Sequence, residues 1–145
     1  MNPIKEITYQ ETFLVRNLTL RKGKPIETCF FEGDDLIETK HFGYFDDEKN
    51  IGTVSIYRNK NTTFNSPNQY QIRGMAILKE FQGRGYGKQL IKHCENYLET
   101  NNTDLVWFNA RETAIPFYEK LGYKTVGLPF AIADVGIHLI MFKKI

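Results

Sequence analysis

Glycines at every second position, Gly83, Gly85 and Gly87, stand between a run of β-type residues and a long helical pattern. The spacing predicts a strand over residues 71–78, a short polar turn, and a helix to about residue 100. In that helix Leu90, Ile91, Cys94, Tyr97 and Leu98 form one apolar stripe. A turn of this kind feeding a helix is an anion site in principle. The first amides of a helix have no internal partner and point out of its positive end. Glycine tolerates φ > 0 and lets the backbone approach a ligand with no Cβ in between. The ligand this predicts is a phosphate group.

Two common phosphate turns do not fit. A Rossmann turn needs G-x-G-x-x-G. Counted from Gly83 the third glycine position holds Lys88, and counted from Gly85 it holds Leu90. A P-loop needs a glycine five residues before Gly-Lys and then Ser or Thr, and here Gln82 and Gln89 occupy those places. What remains is Gln82-Gly83-Arg84-Gly85-Tyr86-Gly87, a Q-x-x-G-x-G turn. It resembles the acyl-CoA pyrophosphate loop of the GNAT acyltransferase superfamily. A glycine-rich turn that binds nothing is the plain alternative, so the rest of the chain has to decide.

A second motif follows about 27 residues on, which is room for one helix and one strand. An aliphatic strand ends in Asn109-Ala-Arg111, and Ala114-Ile-Pro-Phe-Tyr-Glu-Lys-Leu-Gly-Tyr123 comes next. This is similar to the GNAT pattern of strand, Asn, then A-x-x-F-Y-x-K-x-G-F, with Tyr123 in place of the usual Phe. The resemblance covers residues 70–126 firmly, and the N-terminal half matches in element order. The tail Gly136-Ile-His-Leu-Ile-Met141 looks like the closing G-I-P-H-x-x-M of some bacterial members, without its proline.

The resemblance implies an α+β (mixed α/β) fold, with a central mixed, mostly antiparallel sheet of six or seven strands and helices on both faces. It implies that the strands ending near Ile77 and Asn109 splay apart, and that acetyl-CoA lies against their unladdered backbone. The main chain of Gln82, Gly83, Arg84, Gly85, Tyr86, Gly87 and Lys88 would cradle the pyrophosphate. The Arg84 side chain adds charge or simply faces water. Met75, Ala76 and Ile77 would offer backbone groups to the pantetheine and thioester, one N–H serving the developing oxyanion. Asn109, with donor and acceptor on one side chain, would bond a coenzyme amide or position a reactant; otherwise it is a strand-ending turn residue. Tyr118 would donate a proton to the departing thiolate, against the plainer reading of a core tyrosine.

The acceptor amine must lose a proton, since a free lysine amine titrates near ~10.4. Glu32, Asp34, Asp35, His41 and His138 are polar candidates for the base, and the sequence does not choose among them. His93 reads as a surface residue. Lys88, Lys92, Lys120 and Lys124 either reach the terminal phosphates or face solvent.

The elements that must hold these residues follow from pattern. At 145 residues the chain suits a single domain over 1–145. A strand over 4–8 precedes a helix over 9–21, whose apolar positions Phe13, Leu14 and Leu18 fall at helical spacing and which Gly23 and Pro25 stop. Residues 26–31 read as extended, and 32–35 as a turn. Runs at 39–45 and 51–57 flank a polar loop at 46–50 as an antiparallel hairpin, the second half-buried by alternation. Residues 58–68 read as a flexible loop. Leu105 to Asn109 is a buried strand. A helix begins near Thr113 as N-cap, with Pro116 in its first turn, and Ala114, Phe117, Tyr118 and Leu121 on one face. Gly122 closes it. Strands at 123–126 and 137–143 end the chain.

Composition narrows the function classes. Hydrophobic residues make up 41% and charged residues 25%, ordinary values for a globular protein. A net charge of +2 gives no field to favour nucleic acid or an anionic membrane. No apolar run approaches a membrane span, and the N-terminus lacks a signal-peptide core. Cys29 and Cys94 fit no metal or redox spacing, so no metal is expected and a reduced, cytoplasmic protein is the simplest reading. The function these observations imply is an N-acetyltransferase acting on a primary amine of a small molecule or protein, as a monomer or homodimer. A non-catalytic acyl-CoA binding or sensing module is the alternative, and nucleic-acid binding is a distant third.

Overall fold

Alternation at period two and one strong 3.6-residue stripe account for most of the elements. The computed structural model describes residues 2–145; Met1, the first residue of the domain read over 1–145, lies outside them. The strands are β1 (Ile4–Ile7), β2 (Lys40–Asp46), β3 (Lys49–Tyr57), β4 (Gln69–Ile77), β5 (Leu105–Arg111), β6 (Lys124–Ile132) and β7 (Gly136–Lys144). The helices are α1 (Phe13–Thr19), α2 (Tyr86–Glu99) and α3 (Ile115–Glu119). The sheet order is β1-β2-β3-β4-β5-β7-β6. Pairing is antiparallel in β1–β2, β2–β3, β5–β7 and β6–β7, and parallel in β4–β5. This is the mixed α/β sheet that the resemblance implies. The chain divides into two compact units, residues 2–58 with Ile72–Tyr97, and Asn59–Gln71 with Leu98–Ile145.

In the first unit β2 and β3 form the expected hairpin, but its loop is tighter than residues 46–50. The ladder runs to Asp46↔Lys49, with Asp47 at φ 54 in the turn. Both faces of β3 are covered, so the half-buried reading is corrected: Thr53, Val54, Ser55 and Ile56 are all fully buried. On one face the Phe42 ring packs on His93 and Tyr97 of α2, at 4.7 and 5.6 Å. On the other, His41 and Ser55 turn toward α1. Leu90, Ile91, Cys94 and Leu98 of the predicted stripe are fully buried, and Tyr97 is half-buried. His93, read as a surface residue, is half-buried, and burial lowers its pKa below the ordinary 6.5.

Helix α1 buries a different face from the one its leucines suggest. Leu14 is 66% and Leu18 49% exposed, while Val15 and Arg16 are buried. The reason is Arg16, whose side chain is wholly enclosed. Its Nη1 donates to Asp34 Oδ2 at 2.6 Å and to the Cys29 carbonyl at 2.8 Å. Its Nη2 donates to Asp34 Oδ1, Ser55 Oγ and the Tyr57 hydroxyl at 3.0–3.1 Å. Asp34 Oδ2 also accepts the Phe31 N–H at 2.8 Å, and Oδ1 accepts the Tyr57 hydroxyl. The guanidinium lies 4.0 Å over the Phe31 ring. These bonds hold residues 29–34 against the sheet. Residues 26–31 are consequently not extended throughout: Ile26–Cys29 is a 3₁₀ turn that brings the Cys29 carbonyl to Arg16.

In the second unit, the strand read over 123–126 starts one residue later, at Lys124, and runs on to Ile132 as β6, with a register shift between Val126 and Phe130. Residues 58–68 carry no regular structure, as expected, but they are pinned rather than free. Gln69 Oε1 accepts the Asn61 N–H, and its amide nitrogen donates to the carbonyls of Asn61, Phe64 and Ser66. Trp107 Nε1 donates to the Asn59 carbonyl at 3.0 Å. Thr113 is not an N-cap: a 3₁₀ turn at Glu112–Ala114 leads into α3, whose N-cap position is Ala114. Phe117 is 39% exposed, so the apolar face reduces to Ala114, Tyr118 and Leu121. Gly122, at φ 94, ends the helix as predicted, with the Tyr123 N–H reaching back to the Tyr118 carbonyl.

Burial pushes the Asp34 carboxyl up, but Arg16, the Tyr57 hydroxyl and the Phe31 N–H outweigh it and hold the group below the ordinary 3.8. Burial lowers His41 below the ordinary 6.5. Both depressed values mean that the unfolded chain binds more protons than the folded one as pH falls. Stability is therefore expected to decline as pH drops below 6.5, and again below 3.8. Arg16→Met strands the Asp34 charge and is expected to cost about 3–5 kcal/mol in urea unfolding. A cost of ~0.5 kcal/mol, the value for a surface pair, would contradict this account.

Candidate active site

Strand β4 changes character at Gly74. Its φ of +67 lies in the left-handed region, and a Cβ there would stand 3.3 Å from Phe31 and 3.4 Å from Arg16 Nε. That residue re-aims the strand just before Met75, Ala76 and Ile77. Ala76 is buried and the other two are half-buried. Among the described residues, parallel pairing of β4 with β5 is confined to Gln69↔Leu105 through Gln71↔Trp107.

The chain leaves β4 through a 3₁₀ turn at Lys79–Phe81 and enters the glycine turn. Gly83 and Gly85 take φ of +78 and +84, which explains why this turn is built on glycine. Nothing lies within 4 Å of where either Cβ would stand, so the space over the turn is open. Gly87 differs: it is the second residue of α2. The Gln89 N–H bonds back to the Gly85 carbonyl at 3.2 Å. The amides of Tyr86, Gly87 and Lys88 precede that first helical bond and have no intrahelical partner. Two predicted side chains brace the loop itself. Gln82 Nε2 donates to the Ile77 carbonyl at 2.9 Å, and Arg84 Nη2 to the Glu80 carbonyl at 3.2 Å. The Arg84 guanidinium stacks 5.3 Å over Phe81. Tyr86 packs on Tyr44 with ring centroids 4.4 Å apart, and Lys88 is exposed.

The second unit holds Asn109 and Tyr118. Asn109 is exposed near the end of β5, with no hydrogen bond to its side chain among the described residues. Next to it, Phe108 packs on Tyr118 at 4.4 Å and on Tyr123 at 5.0 Å. Phe117 closes the other side of Tyr118 at 5.0 Å. This aromatic surround pushes the Tyr118 phenol up to about 12, and no described residue bonds its hydroxyl. A phenol so placed is protonated at neutral pH and free to donate.

The five candidate bases divide sharply. Asp34 is locked to Arg16. His41 is enclosed, with Nε2 donating to the Asp34 carbonyl at 2.9 Å and Nδ1 at 2.6 Å from Ser55 Oγ. His138 is buried, stacks on Phe130 and bonds the Gly136 carbonyl through Nδ1. Glu32 and Asp35 are exposed. The Arg16 network is the feature that the sequence reading misses. Its signal is one charged residue at the centre of an otherwise uncharged helical stretch, with an acidic turn 18 residues later. A separate groove of about 590 Å³, lined by Leu14, Leu18 and Leu78 with Glu11, Glu48 and Glu80 around it, holds none of the predicted site residues. Among the described residues no cluster of three His, Cys, Asp or Glu side chains has metal-binding spacing, and no helix is long and apolar enough to cross a membrane.

Comparison with known proteins bears on what these parts serve. Residues 8–123 match the family model for the acetyltransferase (GNAT) family. Uncharacterized N-acetyltransferase YitI of Bacillus subtilis (strain 168) is 34% identical over 143 residues, covering 99% of this chain and 96% of that protein. The crystal structure of an aminoglycoside 6'-N-acetyltransferase complexed with coenzyme A shares the fold, with a TM-score of 0.77 and 14% identity over 97% of this chain and 96% of that one. Escherichia coli ElaA does so with a TM-score of 0.76 and 15% identity over 99% of both chains. The structures speak for the fold; the family match and the full-length relative carry the assignment, and this chain belongs to the GNAT acetyltransferase family.

Proposed function

We propose that the chain, acting as one domain over residues 1–145, transfers an acetyl group from acetyl-CoA to a primary amine by direct attack on the thioester. Tyr118 carries the reading: a half-buried phenol, packed among aromatic rings, protonated at neutral pH and without a hydrogen-bond partner among the described residues. Acyl-CoA chemistry is general to this family, and the residues of this chain suit such a ligand. The open space over Gly83 and Gly85, and the unpaired amides of Tyr86, Gly87 and Lys88, suit a pyrophosphate. Arg84 and Lys88 stand beside it as exposed cations.

In the reaction the acceptor, having given its ammonium proton to solvent, attacks as the free amine: its nitrogen bonds to the acetyl carbon and the carbon–sulfur bond breaks. Tyr118 supplies a proton to the departing sulfur, and the one proton that the nitrogen then releases restores the phenol through solvent, leaving an amide and a free thiol. The main chain of Met75, Ala76 and Ile77 orients the acyl end, and Asn109 offers an amide side chain for the same purpose.

Three measurements test the reading. Release of free thiol that depends on both acetyl-CoA and an amine is expected; binding of acetyl-CoA without such release would mark an acyl-CoA sensor instead. Tyr118→Phe is expected to lower kcat by about 10²-fold or more when chemistry limits the rate, with little change in the KM for acetyl-CoA. An unchanged kcat would remove Tyr118 from the mechanism. Gly85→Val forces a β-branched residue to φ +84 in open space. It is expected to weaken coenzyme A binding by about tenfold or more in calorimetry, equivalent to about 1.4 kcal/mol. Unchanged affinity would place the phosphates elsewhere.

A further inference from the structure

Two arginines approach the same ring. Arg16 lies 4.0 Å over Phe31, and Arg73 lies 5.3 Å from it and 4.9 Å over Tyr57. Their charges have different fates. Arg16 is matched by Asp34. Arg73 is half-buried, donates one hydrogen bond, to the Glu32 carbonyl at 3.2 Å, and has no ion-pair partner among the described residues. Asp34, the one buried acid in this corner, is already engaged. The Arg73 guanidinium is thus a cation with no paired anion among the described residues, held near two rings with most of its donor fork unused.

Arg73 also occupies a telling place in the chain. It directly precedes Gly74, where β4 is re-aimed, and stands two residues from Met75, about 7 Å away at the usual strand rise. We propose that Arg73 is an anion receptor for the acceptor: the amine that this enzyme acetylates also carries a carboxylate, as an amino acid does. This rests on the acetyl-transfer reading above. A planar guanidinium pre-ordered by stacking suits a two-oxygen anion. The same charge disfavours polyamines and amino sugars, whose further ammonium groups it repels.

The test pairs each amino acid with the amine left by removing its carboxylate: β-alanine with ethylamine, 4-aminobutyrate with propylamine, lysine with cadaverine. A glycine dipeptide, with its carboxylate further from the amine, separates free amino acids from peptide ends. Wild type is expected to favour the carboxylated member by about tenfold or more in kcat/KM, the usual worth of a hydrogen bond to a charged group. Arg73→Gln is expected to raise the KM for that member and shrink the preference to about threefold or less, with the KM for acetyl-CoA unchanged. Arg73→Lys, which keeps charge and stem but loses the fork, is expected to fall between, and it guards against misfolding of the glutamine variant. Equal or reversed preference in wild type, or an Arg73→Gln enzyme that keeps the preference, overturns the inference while acetyl transfer stands. Thiol release with no amine in the panel, despite bound acetyl-CoA, overturns the transfer reading and this inference with it.

Discussion

A guanidinium shut away from water must find its counter-charge and its hydrogen-bond acceptors inside the protein, and Arg16 imposes that demand on everything packed around it. Five atoms answer it: both Asp34 oxygens, the Cys29 carbonyl, Ser55 and Tyr57. Meeting it draws residues 29–34 onto the sheet and sets which face of α1 is buried. It also places the Phe31 ring against Gly74. Of the Arg16 nitrogens Nε alone is without a partner among the described residues, and it lies beside that glycine. The geometry of the first unit near β4 follows from one charge that cannot be left unmatched.

Legibility in the sequence tracks how local the determining physics is. The stripe on α2, the glycine turn and the Gly122 stop depend on neighbours within a few residues, and all three are readable. Gly83 and Gly85 are where positive φ is needed, and glycine announces that need directly. The surface of α1 was not readable by the same rule. Leu14 and Leu18 fit helical spacing as well as Val15 does, and only the partner at Asp34, distant in sequence, decides for Arg16. Thr53 and Ser55 look like the wet side of a strand but lie under α1 and the 29–34 loop, paired to the Phe42 carbonyl and to Arg16. Their burial depends on tertiary partners that alternation cannot report. The loop after β3 is similar: its order comes from inward-facing side chains outside it, Gln69 above all, with Trp107.

The parts proposed for catalysis differ in how much side-chain identity they require. Over the glycine turn the proposed binding falls to the backbone, and Gln82 and Arg84 bond the nearby carbonyls of Ile77 and Glu80. Their replacement matters through loop conformation. Tyr118 is the reverse case. Nothing in the second unit depends on its hydroxyl for structure, so that hydroxyl is available for chemistry, while its ring is held by Phe108, Phe117 and Tyr123.

The two sulfhydryls have a practical consequence. Cys29 and Cys94 are both wholly enclosed, and burial pushes the Cys94 thiol far up its titration scale, away from the nucleophilic thiolate. The native protein is therefore expected to be silent toward chromogenic disulfide reagents and slow to alkylate. In an assay of the proposed transfer, colour is then expected to come from the released coenzyme, and reactive protein sulfur to report unfolding rather than turnover.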